Sequence, residues 1–507
     1  MAIQSLLIIL VILAVLLIIG VPISYAIGIS SLVCILQTVP LDVSVVTGAQ
    51  RIFVGMSKFS LTAIPFFILA GNLMNQGGIA KRLVDFVMAI LGKLPGALLV
   101  TNVGANALFG AISGSASAAA AAVGSMVEKG EEEQGYDKAL CAATNGASAP
   151  AGLLIPPSNA LITYSLAAGG TSVAALFMAG YVPGILWAVC CMVVAILIAK
   201  KKGYKGLPGK FDWKNLGVCT LRALPALSLI VVVIGGIIGG IFTATEGSAI
   251  AVVYALILGI CYRNITWKSF WNIVVESVKM SGMVVFLIGV SNILGWVMSF
   301  TQIPQAISEA LLGLTHNPII ILLIMNVILL IAGTFMDVTP AILIFTPLFL
   351  PVVQTFGMDP VQFGLILVYN LCIGNITPPV GNTLFVSIKV GRTTLSKVMP
   401  YMLQYYIAIL IGLLLVTYIP AISLWLPRGA GPILSSGFLP GRDSEAISVG
   451  SAAASVRQGH SFCMTGPVSG RYPSVNGHLP ERYSKQRLFG FFSQFLHGFP
   501  IDKPIPA

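Results

Sequence analysis

Charged residues are scarce in this sequence. Only 9% of its 507 residues are Asp, Glu, Lys or Arg, whereas 57% are hydrophobic, and the mean hydropathy is +0.94. A soluble protein covers its water-facing surface with roughly 25% charged residues, which this chain cannot do. Lipid is therefore its main solvent. The composition excludes a cytosolic enzyme, a secreted disulfide scaffold and a disordered protein.

Residues for metal or nucleophilic chemistry are also few. The eight cysteines show no CxxC spacing and lie mostly in apolar stretches, which favours helix packing over metal binding or disulfides. His316 is the only histidine before residue 428, and no Walker loop or GxSxG motif is present. The sequence predicts neither an enzyme nor a resident cofactor. Any transport must then use an ion gradient or a separate subunit.

The net charge of +11 does not indicate nucleic-acid binding, because the basic residues form short clusters between apolar runs. Such loops report orientation in a membrane through the positive-inside rule. The N-terminus is apolar from Ile3 to Ile19, and the first basic residue is Arg51, which favours an uncleaved first span over a signal peptide. The main basic cluster comprises Lys200, Lys201, Lys202, Lys205, Lys210 and Lys214.

Apolar runs of the length that a bilayer requires predict an all-α polytopic membrane protein. Other apolar segments are interrupted by Gly, Pro, Ser or Asn, and non-helical backbone survives at membrane depth only inside protein or along a wet cavity. We therefore expect function in the interrupted segments 60–75, 106–127, 139–168 and 371–390. The uninterrupted candidates are 3–20, 22–39, 84–104, 176–199, 223–242, 247–262, 281–299, 318–336, 340–355, 361–377 and 403–424.

An internal repeat organises the chain. Residues 135–171 align without a gap to 357–393, and paired broken helices in two halves are the signature of secondary transporters with inverted repeats. The predicted parts are a first repeat (1–199), a basic linker (200–222), a second repeat (223–427) and a tail (428–507). The identical pairs are Gly135/Gly357, Asp137/Asp359, Gly152/Gly374, Pro156/Pro378, Pro157/Pro379, Ser165/Ser387, Gly169/Gly391 and Thr171/Thr393.

Small residues and one carboxylate mark candidate ion sites in the interrupted segments. Glycine and serine at 113–115 allow unwinding and supply hard oxygen ligands for an alkali cation, although they also suit a helix-packing face. In the second half, Asp337 lies in an apolar run, where a carboxylate indicates function or a structural salt bridge. Pro340 follows it and breaks the helix.

The Pro-Pro elements at 155–159 and 377–382 interrupt a span in each half. The missing N–H groups leave carbonyls for ligands to satisfy, and a plain kink is the alternative. Thr243 and Glu246 have the spacing of a capping box, which favours a structural role.

Ordered motifs over residues 1–427 resemble the large membrane subunit of tripartite ATP-independent periplasmic (TRAP) transporters. They are AIPFFILAGN at 63–72, the 113–115 stretch, LIPPS at 154–158, FMAG at 177–180, TE at 245–246, MDVTP at 336–340 and ITPPVG at 376–381.

The resemblance implies an elevator-type, sodium-driven importer of a bacterial inner membrane, in which each half contributes a re-entrant hairpin, here around Ile64–Asn72 and Gly289–Leu294. It implies two partners, a small four-helix membrane subunit and a periplasmic solute-binding protein that delivers a small organic acid. One sodium would bind near Ser113, Ser115, Gly152 and Pro157, and the other near Gly333, Asp337, Gly374 and Thr377. Amides such as Asn72 or Asn292 would bind the substrate carboxylate.

Two features leave alternatives open. A stand-alone carboxylate exchanger would share the repeats but would need no periplasmic partner. The tail from Arg428 onward has a disordered composition rich in Gly, Pro and Ser. The family usually ends before it, so it is either a genuine appendage or the product of a reading-frame shift near the stop codon, and the latter is favoured.

Overall fold

The computed structural model describes residues 2–208, 212–315 and 317–429, and every regular element in them is a helix. The tail from residue 430 onward, Lys210 and His316 lie outside the described residues. A 3-10 turn at Phe59–Thr62 joins α3 to α4. The helices are α1 Ala2–Ile18, α2 Ile23–Ile35, α3 Leu41–Met56, α4 Ala63–Gln76, α5 Ile79–Leu91, α6 Ala97–Ser113, α7 Ala116–Glu133, α8 Lys138–Ser148, α9 Ala151–Leu154, α10 Asn159–Ala167, α11 Val173–Lys202, α12 Trp213–Ile238, α13 Ala244–Cys261, α14 Trp267–Phe300, α15 Ile303–Leu314, α16 Pro318–Phe335, α17 Val338–Thr355, α18 Pro360–Gly374, α19 Asn382–Val390, α20 Leu395–Tyr418 and α21 Pro420–Gly429.

Seven helices of the described chain are long and apolar enough to cross a bilayer, and α3 with α4 forms an eighth candidate that is bent by 59°. The prediction of an all-α polytopic protein is therefore confirmed. The predicted run 84–104 is not one span, because α5 ends at Leu91 and Gly96 adopts a positive φ of 72° before α6 begins. The predicted linker 200–222 is helical at both ends, since α11 continues through Lys202 and α12 begins at Trp213.

Matching local structures accompany the matching sequence of the two halves. Asp137 and Asp359 cap α8 and α18, each accepting a hydrogen bond from the backbone N–H two residues on. Gly135 and Gly357, which precede them, have φ values of 71° and 77°, a conformation that glycine adopts without steric cost. The capping box at Thr243 is also present, with Glu246 accepting from the Thr243 N–H.

The two ends of the bundle are defined by helix α20. Near its start, the Tyr401 hydroxyl donates to Asp137 Oδ2 (2.6 Å), which also accepts from Lys202 Nζ (2.7 Å). Near its end, the Tyr418 hydroxyl donates to Ile319 O (2.9 Å). At 1.5 Å per residue these ends are about 25 Å apart. We name them the lysine-rich face and the opposite face.

The broken helices of the two halves run in opposite directions. The α8–α10 segment leaves the lysine-rich face at Asp137, and the Tyr164 hydroxyl near its far end donates to Pro360 O, at the start of α18 (2.5 Å). The α18–α19 segment returns to the lysine-rich face, where Gly391 lies against Lys138 and Ala142. The repeats are therefore inverted, as predicted.

Two hairpins enter the bundle from opposite ends. Gly96 N, before α6, donates to Tyr204 O (3.2 Å), and Tyr136, just after α7, stacks on Tyr204. Both arms of α6–α7 therefore begin at the lysine-rich face, and the chain reverses at 113–115. The α16–α17 pair is its counterpart at the opposite face, since Ile319 begins it and a short turn leads from it to Pro360.

The predicted locations of the hairpins are wrong. Ile64–Asn72 lies inside the continuous helix α4, and Gly289–Leu294 lies inside the 34-residue helix α14. Both segments are uninterrupted by proline at their centres, and the glycines in them serve helix packing: Gly289 lies against Met56 of α3, and Gly71 lies against Ser113.

The ion pair at the lysine-rich face gives a pH prediction. Partial burial opposes ionisation of Asp137, but hydrogen bonds from Lys202, Tyr401 and the Ala139 N–H outweigh it and lower its pKa from 3.8 to about 2. A depressed folded-state pKa stabilises the fold above pH 4, and this stabilisation is lost as the pH falls from about 4 to 2.

Asp137→Asn should keep the helix cap and lose the charge. We expect it to destabilise the protein by about 1 kcal/mol at pH 7, because the group is partly screened by solvent. The measurement is the thermal unfolding midpoint in detergent, and the deficit should shrink below pH 4. Glu132→Gln, which removes an exposed ion pair with Lys138, is the matched control and should show no deficit. A deficit independent of pH would contradict the assignment.

Candidate functional site

The first hairpin tip is unwound at three residues. Gly114 has a positive φ of 63°, and Ser115 takes an extended conformation and caps α7 by accepting from the Ala118 N–H (3.3 Å). Ser113 Oγ lies 3.5 Å from Gly110 O and 3.4 Å from Ser115 O, at the edge of hydrogen-bond distance. The tip therefore gathers hydroxyl and carbonyl oxygens that are only weakly engaged with each other.

The first tip meets the break of the α8–α10 segment. The backbones touch at Gly110 and Gly152, where a Cβ on Gly152 would lie 2.2 Å from Gly110 Cα. Gly114 lies against the side-chain amide of Asn159, two residues beyond Pro157. The four residues predicted to bind the first sodium therefore lie together, namely Ser113, Ser115, Gly152 and Pro157. We call a hairpin tip and the helix break that it contacts a tip-and-break pair.

The amide of Asn159 was not predicted as a site residue. Its Oδ1 is buried and accepts no hydrogen bond from the described residues. A buried acceptor without a donor is costly, and a cation beside the tip would remove that cost. The sequence does contain an indication of this role, because Asn159 is the last residue of the Pro-Pro element at 155–159.

The second hairpin tip carries the carboxylate. Asp337 caps α17, with its Oδ1 accepting from the Val338 N–H (2.9 Å). The arm α16 touches the break of α18–α19 at Gly333 and Gly374, where a Cβ on Gly374 would lie 2.4 Å from Gly333 C. Val380 N also donates to Thr334 O (3.2 Å). This arrangement repeats the first pair with inverted direction.

Several oxygens surround this second tip. Thr377 Oγ1 donates to Ile373 O (2.7 Å) and also lies beside the Tyr406 hydroxyl. The Asn382 amide faces the Asp337 carboxylate. The buried Asn375 Oδ1 and Thr383 Oγ1 have no hydrogen-bond partner within the described residues. Thr377 and Asp337 were predicted from the sequence, whereas Asn382 and its neighbours were not.

The two pairs differ in access from outside. Asp337 and Asn382 are exposed, and so is Pro379 beside them, whereas Ser113 and Gly152 are buried. The second pair is therefore the more open of the two.

The predicted substrate ligands lie outside the tips. Asn72 follows Gly71, which touches the first tip at Ser113, but its Nδ2 donates to Ser277 Oγ of α14 (2.9 Å). Asn292 lies on α14 against Gly55 of α3. Their role in substrate binding stays a prediction.

A buried amide network supports the first tip from behind. Asn106 Nδ2 lies within hydrogen-bond distance of Asn102 Oδ1 (2.8 Å), Asn145 Oδ1 (3.0 Å) and Ser148 Oγ (2.9 Å), and its two hydrogens are shared among these acceptors. Asn145 Nδ2 in turn donates to Ala120 O on α7 (2.8 Å). The network ties both hairpin arms to α8, which fixes the tip against the break.

The chemistry available at the pairs is that of oxygen ligands. Among residues 2–208, 212–315 and 317–429, no group of three or more His, Cys, Asp and Glu is placed to hold a metal ion. The donors are hydroxyls, freed carbonyls, amides and one carboxylate, the set that binds coupling cations at discontinuous helices.

Comparisons with known proteins agree with this architecture. The profile of the family described as "Tripartite ATP-independent periplasmic transporter, DctM component" matches residues 10–422. The uncharacterized protein YgiK of Salmonella typhimurium is 50% identical over 419 residues, which cover 83% of this chain and 96% of that protein. The C4-dicarboxylate TRAP transporter large permease protein DctM of Pseudomonas aeruginosa is 39% identical over 76% of this chain and 90% of its own.

The fold is also similar to that of solved structures, including a transporter. The YdaH transporter of Alcanivorax borkumensis, whose crystal structure has an unusual topology, aligns with a TM-score of 0.50 over 73% of this chain and 87% of that chain. Only 14% of the aligned residues are identical, so the likeness concerns the fold alone.

The glycine contacts predict a strong effect of a single methyl group. We expect Gly152→Ala and Gly374→Ala each to destabilise the protein by about 3 kcal/mol, because the added Cβ meets backbone that cannot move without separating tip from break. The measurement is the thermal midpoint and the monodisperse fraction in detergent. Gly282→Ala in α14, with no atom within 4 Å of the new Cβ, is the control. Equal stability of all three variants would contradict the contact.

Proposed function

The chain belongs to the DctM family of tripartite ATP-independent periplasmic transporters, and from this membership we propose that it is the translocating subunit of a sodium-coupled importer of small carboxylates. As a large permease component it is a transporter subunit, not an enzyme, and a multi-pass protein of a bacterial inner membrane. A periplasmic substrate-binding protein would deliver the substrate to it.

The observation that carries the proposal is the inverted pairing of hairpin tips with helix breaks. A helix breaks inside a bilayer only where protein or ligands satisfy the freed backbone groups. Two breaks that face two tips, related by an inverted repeat, are the arrangement in which secondary transporters bind substrate and ions near the midplane.

We assign one sodium to each tip-and-break pair. At the first pair, Ser113 and Ser115 would supply oxygens together with carbonyls around Gly152 and Pro157. The orphan acceptor of Asn159 supports a cation there. At the second pair, the ligands would be the Asp337 carboxylate and oxygens around Gly333, Gly374 and Thr377. Sodium is cargo in this scheme and not a resident cofactor.

Two arguments support a small carboxylate as the substrate. One is the relative named for C4-dicarboxylates, and the other is the position of two helix N-termini. Helices α7 and α17 start at the two tips, and the N-terminus of a helix favours an anionic group by its dipole and free N–H groups. A carboxylate could therefore bind between the tips, with Asn72 or Asn292 as further donors after a rearrangement.

Charge favours one orientation of the chain. The lysine-rich face carries the basic cluster at the end of α11, together with Lys138, Lys389 and Arg392. By the positive-inside rule this face would be cytoplasmic. The opposite face would then receive substrate from the binding protein, and a small four-helix membrane subunit would complete the transporter. Movement of the tip-and-break pairs past the remaining helices would carry substrate across.

Asp337→Asn tests the sodium role. Loss of a charged ligand is worth about 1.5–3 kcal/mol, so we expect sodium-driven uptake to fall about tenfold or more and its sodium dependence to weaken. The measurement is uptake in proteoliposomes with all three components, over a range of sodium gradients. Asp359→Asn, which keeps the cap of α18 and lies at the opposite face, is the matched control.

Two outcomes would contradict the proposal in different ways. Unchanged sodium dependence in the Asp337 variant would remove this residue from the ion site. Undiminished uptake without the binding protein would instead favour a stand-alone exchanger.

A further inference from the structure

A cavity of about 350 Å³ lies at the lysine-rich face, away from both tip-and-break pairs. Its walls are one side of α5, the turn after it, and the first turns of α12. The chain after α11 closes it: Leu207 N donates to Gly92 O (2.8 Å), and Lys93 Nζ donates to Pro208 O (2.9 Å). The volume is in the range of small-molecule sites.

The cavity is lined by charges of both signs. Arg82, Lys93 and Arg222 supply cations, and Asp85 and Asp212 supply carboxylates. None of the salt bridges between described residues involves these five side chains. Opposite charges that share a cavity without pairing leave both available to a ligand.

Besides Lys93, two of these groups are held in place by other contacts. The Arg82 guanidinium lies over the Tyr262 ring, 3.2 Å from its centroid, which orients it by a cation–π interaction. Asp212 Oδ1 accepts from the backbone N–H groups of Lys214 and Asn215 (3.0 and 3.1 Å). Preorganised charges bind a ligand at a lower entropic cost.

The mouth of the cavity borders an apolar surface. On α12, Asn215, Cys219 and Arg222 line the cavity, and at this spacing they form one stripe of the helix. Val218 and Leu221 are exposed on the neighbouring stripe. This helix has 26 residues and enters its uncharged apolar run after Arg222, so the cavity lies where hydrocarbon gives way to headgroups.

We propose that this cavity binds the headgroup of a zwitterionic phospholipid that carries a phosphodiester and a primary ammonium, as in phosphatidylethanolamine. The phosphate lies between Arg82 and Arg222, the ammonium lies against Asp85 and Asp212, and the acyl chains follow Val218 and Leu221. The acidic side chains disfavour an anionic lipid, and the apolar border favours a lipid over free phosphate.

The test measures lipid retention by native mass spectrometry of the purified full chain. The probes are phosphatidylethanolamine, phosphatidylcholine and phosphatidylglycerol with identical chains, and soluble phosphoethanolamine and inorganic phosphate as competitors. We expect phosphatidylethanolamine to be retained preferentially. Arg222→Gln and Asp85→Asn should each lower its retention about tenfold. Lys268→Gln, at the start of α14 on the same face, is the control and should retain it.

Each alternative outcome overturns the proposal. Preference for phosphatidylglycerol, strengthened by Asp85→Asn, would make this a purely anionic site. Equal competition by inorganic phosphate would make it a phosphate site without a lipid. Retention that neither variant changes would place the lipid elsewhere on the surface. Because Arg222 and Asp85 are both exposed, the variants should fold, and the thermal midpoint without lipid verifies this.

Discussion

The structure depends on one constraint: a helix can open inside a bilayer only where other groups take up its backbone N–H and C=O groups. Both breaks lie against a hairpin tip, and at the second break Val380 N donates to Thr334 O of the hairpin. Glycine allows the contact, since Gly110 meets Gly152 and Gly333 meets Gly374 with no side chain between them. Tip and break are therefore packed as one unit.

Inversion follows from how these units are connected. The first hairpin enters from the lysine-rich face and the second from the opposite face, so the two tips point in opposite directions. The α8–α10 and α18–α19 segments cross the bundle in opposite directions between them. On our proposal the substrate binds between the two tips, and the inversion relates that site in the same way to both ends of the bundle.

Much of this architecture could be predicted from the sequence. Strong local signals sufficed for the breaks at Gly114 and at the Pro-Pro pairs, for the capping box at Thr243 and for the repeat itself. The locations of the hairpins could not be predicted, because motif order does not show which ends of two helices share a face. That information came from tertiary contacts such as Tyr204 with Gly96 and Tyr136.

Polar partners were missed for a related reason. Asn106 and Asn145 lie in apolar stretches whose helical character gives no indication that their amides meet across α6 and α8. Asn159 and Asn382 end the two Pro-Pro elements. Glycine and proline there predict a break in the helix, but the sequence does not show what the amides contact. Their importance appears only when the tip is placed beside the break and Asn159 Oδ1 is left without a donor.

The two pairs are not chemically equivalent, and the difference has a physical consequence. The first pair offers only neutral oxygens, whereas the second adds the Asp337 carboxylate. Transfer of a cation from water to neutral ligands leaves its charge uncompensated, whereas a carboxylate ligand neutralises that charge. On our proposal the second pair would therefore bind its ion first, and the first pair would complete its site only as the tips and substrate exclude water.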